Sequence, residues 1–98
     1  MKWSWPCVYI LTNKFHTAFY VGVTSDLIKR TWQHKNDLVD GFSSKYHVHK
    51  LVYYEQYEDM YSAICREKRL KKYKKEWKLF LIYKMNPFWK DLYYEIVQ

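Results

Sequence analysis

The stretch Phe19–His34 constrains the fold most, because its hydrophobic period changes part-way along. Phe19-Tyr20-Val21 is aromatic and β-branched, which suits a pleated strand. Gly22 then removes a side chain where the backbone can bend or let another group come close. Thr24-Ser25-Asp26 carries capping side chains just ahead of a helically spaced run, so a helix is expected from near Ser25 to about Asp37. Leu27, Ile28, Thr31 and Trp32 would form its inward stripe. Arg30 and His34, at i and i+4, stack on one side of the same helix. A guanidinium fork beside an imidazole, after a strand that holds a Tyr, suits a phosphate site. Arg grips phosphate oxygens through paired donors, and His exchanges protons near neutral pH. The same spacing also describes a surface Arg and His on an ordinary amphipathic helix.

The flanking segments supply the rest of a small sheet. Trp5–Thr12 reads as a buried strand with Pro6 at its start, where a missing donor is tolerated. Ala18–Val23 returns antiparallel to it after a hairpin loop over residues 13–17. Lys50–Tyr57 reads as a third strand, and residues 38–47, with Gly41 and two serines, as a loop. A second helix opens at Glu58-Asp59, where acidic residues suit the helix dipole, and runs to about Lys72. A third covers Glu76–Met85, with apolar positions Trp77, Phe80, Leu81 and Met85, and stops at Asn86-Pro87. The aromatic tail beyond it is expected to pack back on the domain. The order β-β-α-β-α-α is an α+β pattern.

Composition narrows the partners. With 98 residues, 49% hydrophobic and 21% aromatic, the chain is expected to form one domain over residues 1–98 with ample core material. Only two Gly and two Pro argue against disorder. A formal net charge of +7 favours polyanions, with nucleic acid first and an anionic membrane surface second. No apolar run approaches transmembrane length, and residues 1–6 lack the apolar core of a signal peptide. Cys7 and Cys65 match no metal spacing and read as reduced thiols, so the expectation is a cytoplasmic protein without a membrane partner.

The second helix contains an anomaly. Met60, Ala63, Ile64 and Glu67 share one face, so a carboxylate stands where an apolar residue is expected. A carboxylate moved out of water needs a partner. Arg30 or a nearby Lys would give a structural ion pair, and a divalent cation would accept the same hard oxygen. Around Glu67, eight of the thirteen residues from Arg66 to Lys78 are basic. Such a face supplies sequence-independent phosphate affinity through counterion release, or is simply a solvated helix surface. His47 and His49 straddle one residue and could hold zinc, but with no further ligand pair evident they read as loop residues.

Cys7-Val8-Tyr9 and Tyr20-Val21-Gly22, followed in order by S-D-L-I-K-R-T-W-Q-H, A-I-C-R-E-K-R-L-K-K and M-N-P-F-W-K-D-L, complete a family pattern. The chain resembles the GIY-YIG nuclease superfamily, in particular its small single-domain bacterial members, from about Trp5 to Leu92. The resemblance implies a small three-stranded antiparallel sheet flanked by helices, and a metal-dependent DNA endonuclease of repair or processing with little sequence specificity. The alternative is a weakly catalytic or inactive nucleic-acid-binding module on the same fold. Residue by residue, it implies catalytic roles for Tyr9, Tyr20, Arg30, His34 and Asn86, and one Mg²⁺ or Mn²⁺ on Glu67. Gly22 would keep the strand end open. Lys29, Lys45, Arg66, Lys68, Arg69, Lys71 and Lys72 would contact DNA, with branched or damaged forms among the candidates. Tyr9 is implied as the base, its hydroxyl pulled towards a phenolate by Arg30 and the metal or relaying its proton to His34. The departure is Cys7, which stands where the family has Gly and would matter if it crowded Tyr9.

Overall fold

In the computed structural model, which describes residues 5–39 and 41–98, β1 (Cys7–Thr12) is the middle strand of a three-stranded sheet. It pairs antiparallel with β2 (Phe19–Thr24) on one edge and with β3 (Lys50–Gln56) on the other. All six β1 side chains are buried. A polar-out alternation is absent because helices cover both faces of the sheet, so every position on the central strand is inside. Met1–Ser4, part of the segment without an apolar leader run, and Asp40, inside the expected loop, lie outside the described residues.

Alternate residues of β1 feed two cores. Cys7, Tyr9 and Leu11 pack with Leu27, Val48, Leu51, Leu92 and Ile96. Val8 and Ile10 pack with Val21, Val52, Tyr53, Ala63, Leu70 and Ile82. The first core is closed by α1 (Leu27–Lys35) and the short α5 (Tyr93–Ile96), the second by α3 (Met60–Lys72) and α4 (Lys75–Met85). Each buried Leu, Ile or Val contributes about 1.5–3 kcal/mol relative to exposure. The expected α+β class, with three antiparallel strands, holds. A bulge interrupts the β1–β3 ladder: Ile10 faces Tyr53 but Leu11 faces Leu51, which leaves Val52 as the extra residue.

Local chemistry sets the helix starts. The Asp26 carboxylate accepts the Lys29 amide at 3.1 Å, and that of Asp59 accepts the Ser62 amide at 2.7 Å. Three details differ from the sequence expectation. Residues 38–47 are not all loop, since Phe42–Tyr46 form α2. The inward side of α1 is Leu27, Thr31 and His34, while Trp32 is 49% exposed. At 100° per residue Trp32 lies about 140° around the helix from Leu27, whereas His34 returns to within about 20° of it. On α4 the buried residue is Ile82, with Trp77, Phe80 and Met85 exposed. The tail does pack back, through Leu92 and Ile96, and the Leu92 amide donates to the Leu51 carbonyl at 2.8 Å. Among the described residues no helix is long and apolar enough to cross a membrane.

Candidate active site

Tyr9 and Gly22 face each other across the β1–β2 ladder. A Cβ built on Gly22 would stand 2.4 Å from both Cζ and Oη of Tyr9 and 2.9 Å from Cε2 of Tyr20. Glycine is therefore required by close approach, as its place at the strand end suggested. The Tyr9 ring, fully buried, crosses the glycine and brings its hydroxyl to α1.

There the hydroxyl meets Nε2 of His34 at 3.0 Å, and Nδ1 of His34 meets Oγ of Ser43 on α2 at 2.9 Å. Arg30, one turn before His34 on α1, brings its positive charge to bear on the same Tyr9 oxygen. The Ser43 hydroxyl donates to the Val39 carbonyl and so accepts from Nδ1, which leaves Nε2 to accept the Tyr9 proton. Neutral His34 then carries its proton on Nδ1 and donates it to Ser43, whose hydroxyl has the Val39 carbonyl at 3.5 Å. The tautomer follows from this network of partners. Tyr20 completes the cluster, its ring centroid 5.0 Å from His34 and 6.2 Å from Tyr9, and Phe42 stacks on its far side at 6.4 Å.

Electrostatics correct one expectation. Burial, then the neighbouring Tyr20, and also Glu67 raise the Tyr9 hydroxyl well above the usual phenol range, and Arg30 opposes them without prevailing. Arg30 by itself therefore does not pull the Tyr9 hydroxyl towards a phenolate. His34 is lowered to about 4, by burial first and then by the Arg30 and His49 charges, so it is a neutral imidazole at pH 7. Glu67 projects from α3, which packs on β1 and β2, and its charge reaches Tyr9. Its side chain is only 13% exposed and pairs with Nζ of Lys71 at 2.8 Å. Of the two partners weighed for this carboxylate, the lysine is therefore in place.

A cleft of about 300 Å³ opens beside Arg30, lined by Thr24, Ser25, Asp26, Lys29, Arg30 and Gln33. A larger cavity of about 470 Å³ lies elsewhere, between the β1–β2 loop and the His47–Lys50 segment. The chemistry follows the smaller cleft, because Arg30 lines it and does not line the larger cavity.

The family model for the GIY-YIG catalytic domain matches residues 6–80. The chain belongs to the GIY-YIG family. No curated protein and no solved structure matches it. The small three-stranded antiparallel sheet with flanking helices is that of the GIY-YIG fold, and the family is one of nucleases, which act on nucleic acid. Within the GIY-YIG frame, Cys7 shares a face of β1 with Tyr9. It is buried two residues before Tyr9 in the same core, its Sγ donates to the Trp5 carbonyl at 3.3 Å, and burial pushes the thiol up to about 11.

The remaining candidates divide. Lys29, Lys45, Lys68, Arg69, Lys71 and Lys72 are exposed. Arg66 is not on that outer surface: it turns towards the sheet, holds Glu55 through Nε at 2.9 Å and Nη2 at 3.1 Å, and donates to Tyr73 at 3.3 Å. Asn86 lies beyond the matched residues of the GIY-YIG model. It is buried at the end of α4, donates to the carbonyls of Val52 and Lys90, and accepts the Lys90 amide. None of these bonds goes to Tyr9, Tyr20, Arg30, His34 or Glu67. Its place is a clasp that satisfies the bulge residue Val52. Ser43 is the site residue that sequence reasoning missed. Nothing in the spacing of residues 38–47 tied one of two adjacent serines to His34.

The fold family implies a divalent cation, and Glu67 fits one. A half-buried carboxylate whose charge reaches Tyr9, with Lys71 as its other neighbour, suits a hard ion that keeps most of its water.

Proposed function

We propose that this GIY-YIG protein is a metal-dependent endonuclease that hydrolyses DNA phosphodiester bonds with little sequence preference. The observation that carries this reading is the convergence of Tyr9, His34 and Arg30 on one hydroxyl, with the Glu67 charge reaching the same point. Arg30 donates its paired N–H groups to a non-bridging oxygen of the scissile phosphate. As the attacking water loses its proton to the Tyr9 oxygen, Tyr9 passes its own proton to Nε2 of His34, and Ser43 steadies the imidazole through Nδ1. Burial holds His34 down first and the Arg30 charge second; binding of the anionic diester offsets the second, so the acceptor becomes more basic when substrate is present. Glu67 would hold Mg²⁺ or Mn²⁺, and that ion would supply charge stabilisation for the displacement. Lys68, Arg69 and Lys72, exposed on α3, track the DNA backbone without reading bases.

A second reading is a DNA-binding module with weak catalysis. It is favoured by the Tyr9 hydroxyl, which holds its proton more tightly than a free phenol. A nicking assay on linear, branched and damaged DNA, with Mg²⁺ and Mn²⁺ titrated, separates the two. Cleavage by the parent that Glu67→Gln abolishes supports the endonuclease. Salt-dependent binding without cleavage supports the module, and equal cleavage by Glu67→Gln removes the metal role.

A further inference from the structure

Outside the active site, one trio of side chains is arranged to take a ligand of its own. Asp37 follows the end of α1, His47 caps α2, and His49 stands just before β3. The His49 amide bonds the His47 carbonyl at 3.0 Å, a turn so tight that both imidazoles emerge on one side, with ring centroids 5.7 Å apart. Asp37, from the other segment, closes the group: its Oδ1 is 2.8 Å from Nε2 of His49. One ligand atom from each of the three lies within 4.8 Å of the others.

We propose that Asp37, His47 and His49 form a binding site for a borderline first-row cation, zinc above all. Two imidazoles and one carboxylate are a donor set that zinc takes, with water or substrate in the fourth position. Tetrahedral zinc at its usual bond lengths separates neighbouring ligand atoms by about 3.4 Å. The trio therefore needs only side-chain rotation, with the zinc taking the place of the proton between Asp37 and His49. The 470 Å³ cavity that His47 and His49 line gives the ion a route from solvent and leaves room for a fourth ligand. Hard Mg²⁺ is a poor competitor here, because imidazole nitrogen suits transition ions better. The site is thus chemically distinct from the single carboxylate of Glu67.

Its position gives it a purpose. Asp37 is anchored to α1, which carries Arg30 and His34, while His47 and His49 directly follow α2, which carries Ser43. An ion on all three pins α2 to α1 and so fixes the Ser43–His34 hydrogen bond from outside. The site is a structural brace for the relay, not a participant in bond cleavage.

Calorimetric titration of tag-free protein with zinc chloride tests this directly, with Co²⁺ absorption as a check on coordination. The parent should bind one equivalent, and Glu67→Gln should bind it equally well. His47→Ala, His49→Ala and Asp37→Asn should each lose affinity by more than about tenfold, the lower end of what weaker, outer-sphere losses cost. Zinc should raise the Tm of the parent and of Glu67→Gln but not that of a His47→Ala/His49→Ala double variant. These side chains are exposed or half-buried, so the double variant should melt near the metal-free parent. Absence of zinc binding, or binding undiminished in the double variant, would overturn the site. Binding lost in Glu67→Gln alone would assign the ion to the nuclease centre instead.

Discussion

The Tyr9 hydroxyl lies 3.0 Å from Nε2 of His34, a bond that joins the central strand to the helix beside it. Replacing Tyr9 by Phe removes that hydroxyl and keeps the ring over Gly22. Cleavage should fall by roughly 10²–10⁴, the range of a lost proton-transfer group. Stability should drop by about 1–3 kcal/mol because buried His34 loses a partner. Single-turnover nicking and urea unfolding measure the two effects.

Gly22→Ala tests the close approach. The added methyl would overlap the Tyr9 ring, which is buried and has no room to retreat. Overpacking of this kind costs about 1–3 kcal/mol. A lower unfolding midpoint with an unchanged denaturant slope, together with reduced cleavage, is the expected result.

His34 makes stability depend on pH. Its pKa falls from 6.5 to about 4 on folding, so between these values the unfolded chain binds a proton that the folded chain refuses. Stability is therefore full above pH 6.5 and declines as pH falls towards 4. His34→Gln should flatten this part of the profile. Arg30→Gln should raise the His34 pKa, since the Arg30 charge is among the causes that hold it down. NMR titration of the imidazole reads the shift. In cleavage, Arg30→Ala should lower turnover more than DNA affinity.

Much of this site was legible in the chain. The strand-to-helix switch at Gly22 and the four-residue step from Arg30 to His34 each carried a physical reason, and a carboxylate on an apolar helix face drew notice by itself. Ser43 was not legible, because a hydrogen bond across a short helix leaves no periodicity. The depth of His34 was misjudged for a different reason: Trp32 is the more apolar residue, but helical geometry turns it outward. The role of Asn86 depends on a bulge, and a one-residue register change is invisible until two strands are paired.

Asn86→Ala should therefore act on stability rather than on chemistry alone. Its amide serves Val52, Lys90 and the Lys90 amide, and truncation strands a buried carbonyl. A loss of about 1–3 kcal/mol is expected by urea unfolding.

Arg66 and Arg69 should separate in the same way. Arg66→Ala breaks the Glu55 pair and should lower the Tm, with a smaller effect on DNA binding. Arg69→Ala should leave the Tm near that of the parent while weakening binding and reducing the salt slope by about one. Salt-dependent fluorescence anisotropy, run beside thermal melts, gives both numbers.

The relay spans two very different tenancies in the molecule. Tyr9 sits on a strand with a neighbour on each edge and helices over both faces, so its amide should exchange with solvent only when the whole protein opens. Ser43, though buried, sits on an isolated five-residue helix whose amides should exchange far sooner. The molecule can thus lose the Ser43 end of this hydrogen-bond chain, and with it the orientation of His34, many times over while the Tyr9 end stays in place.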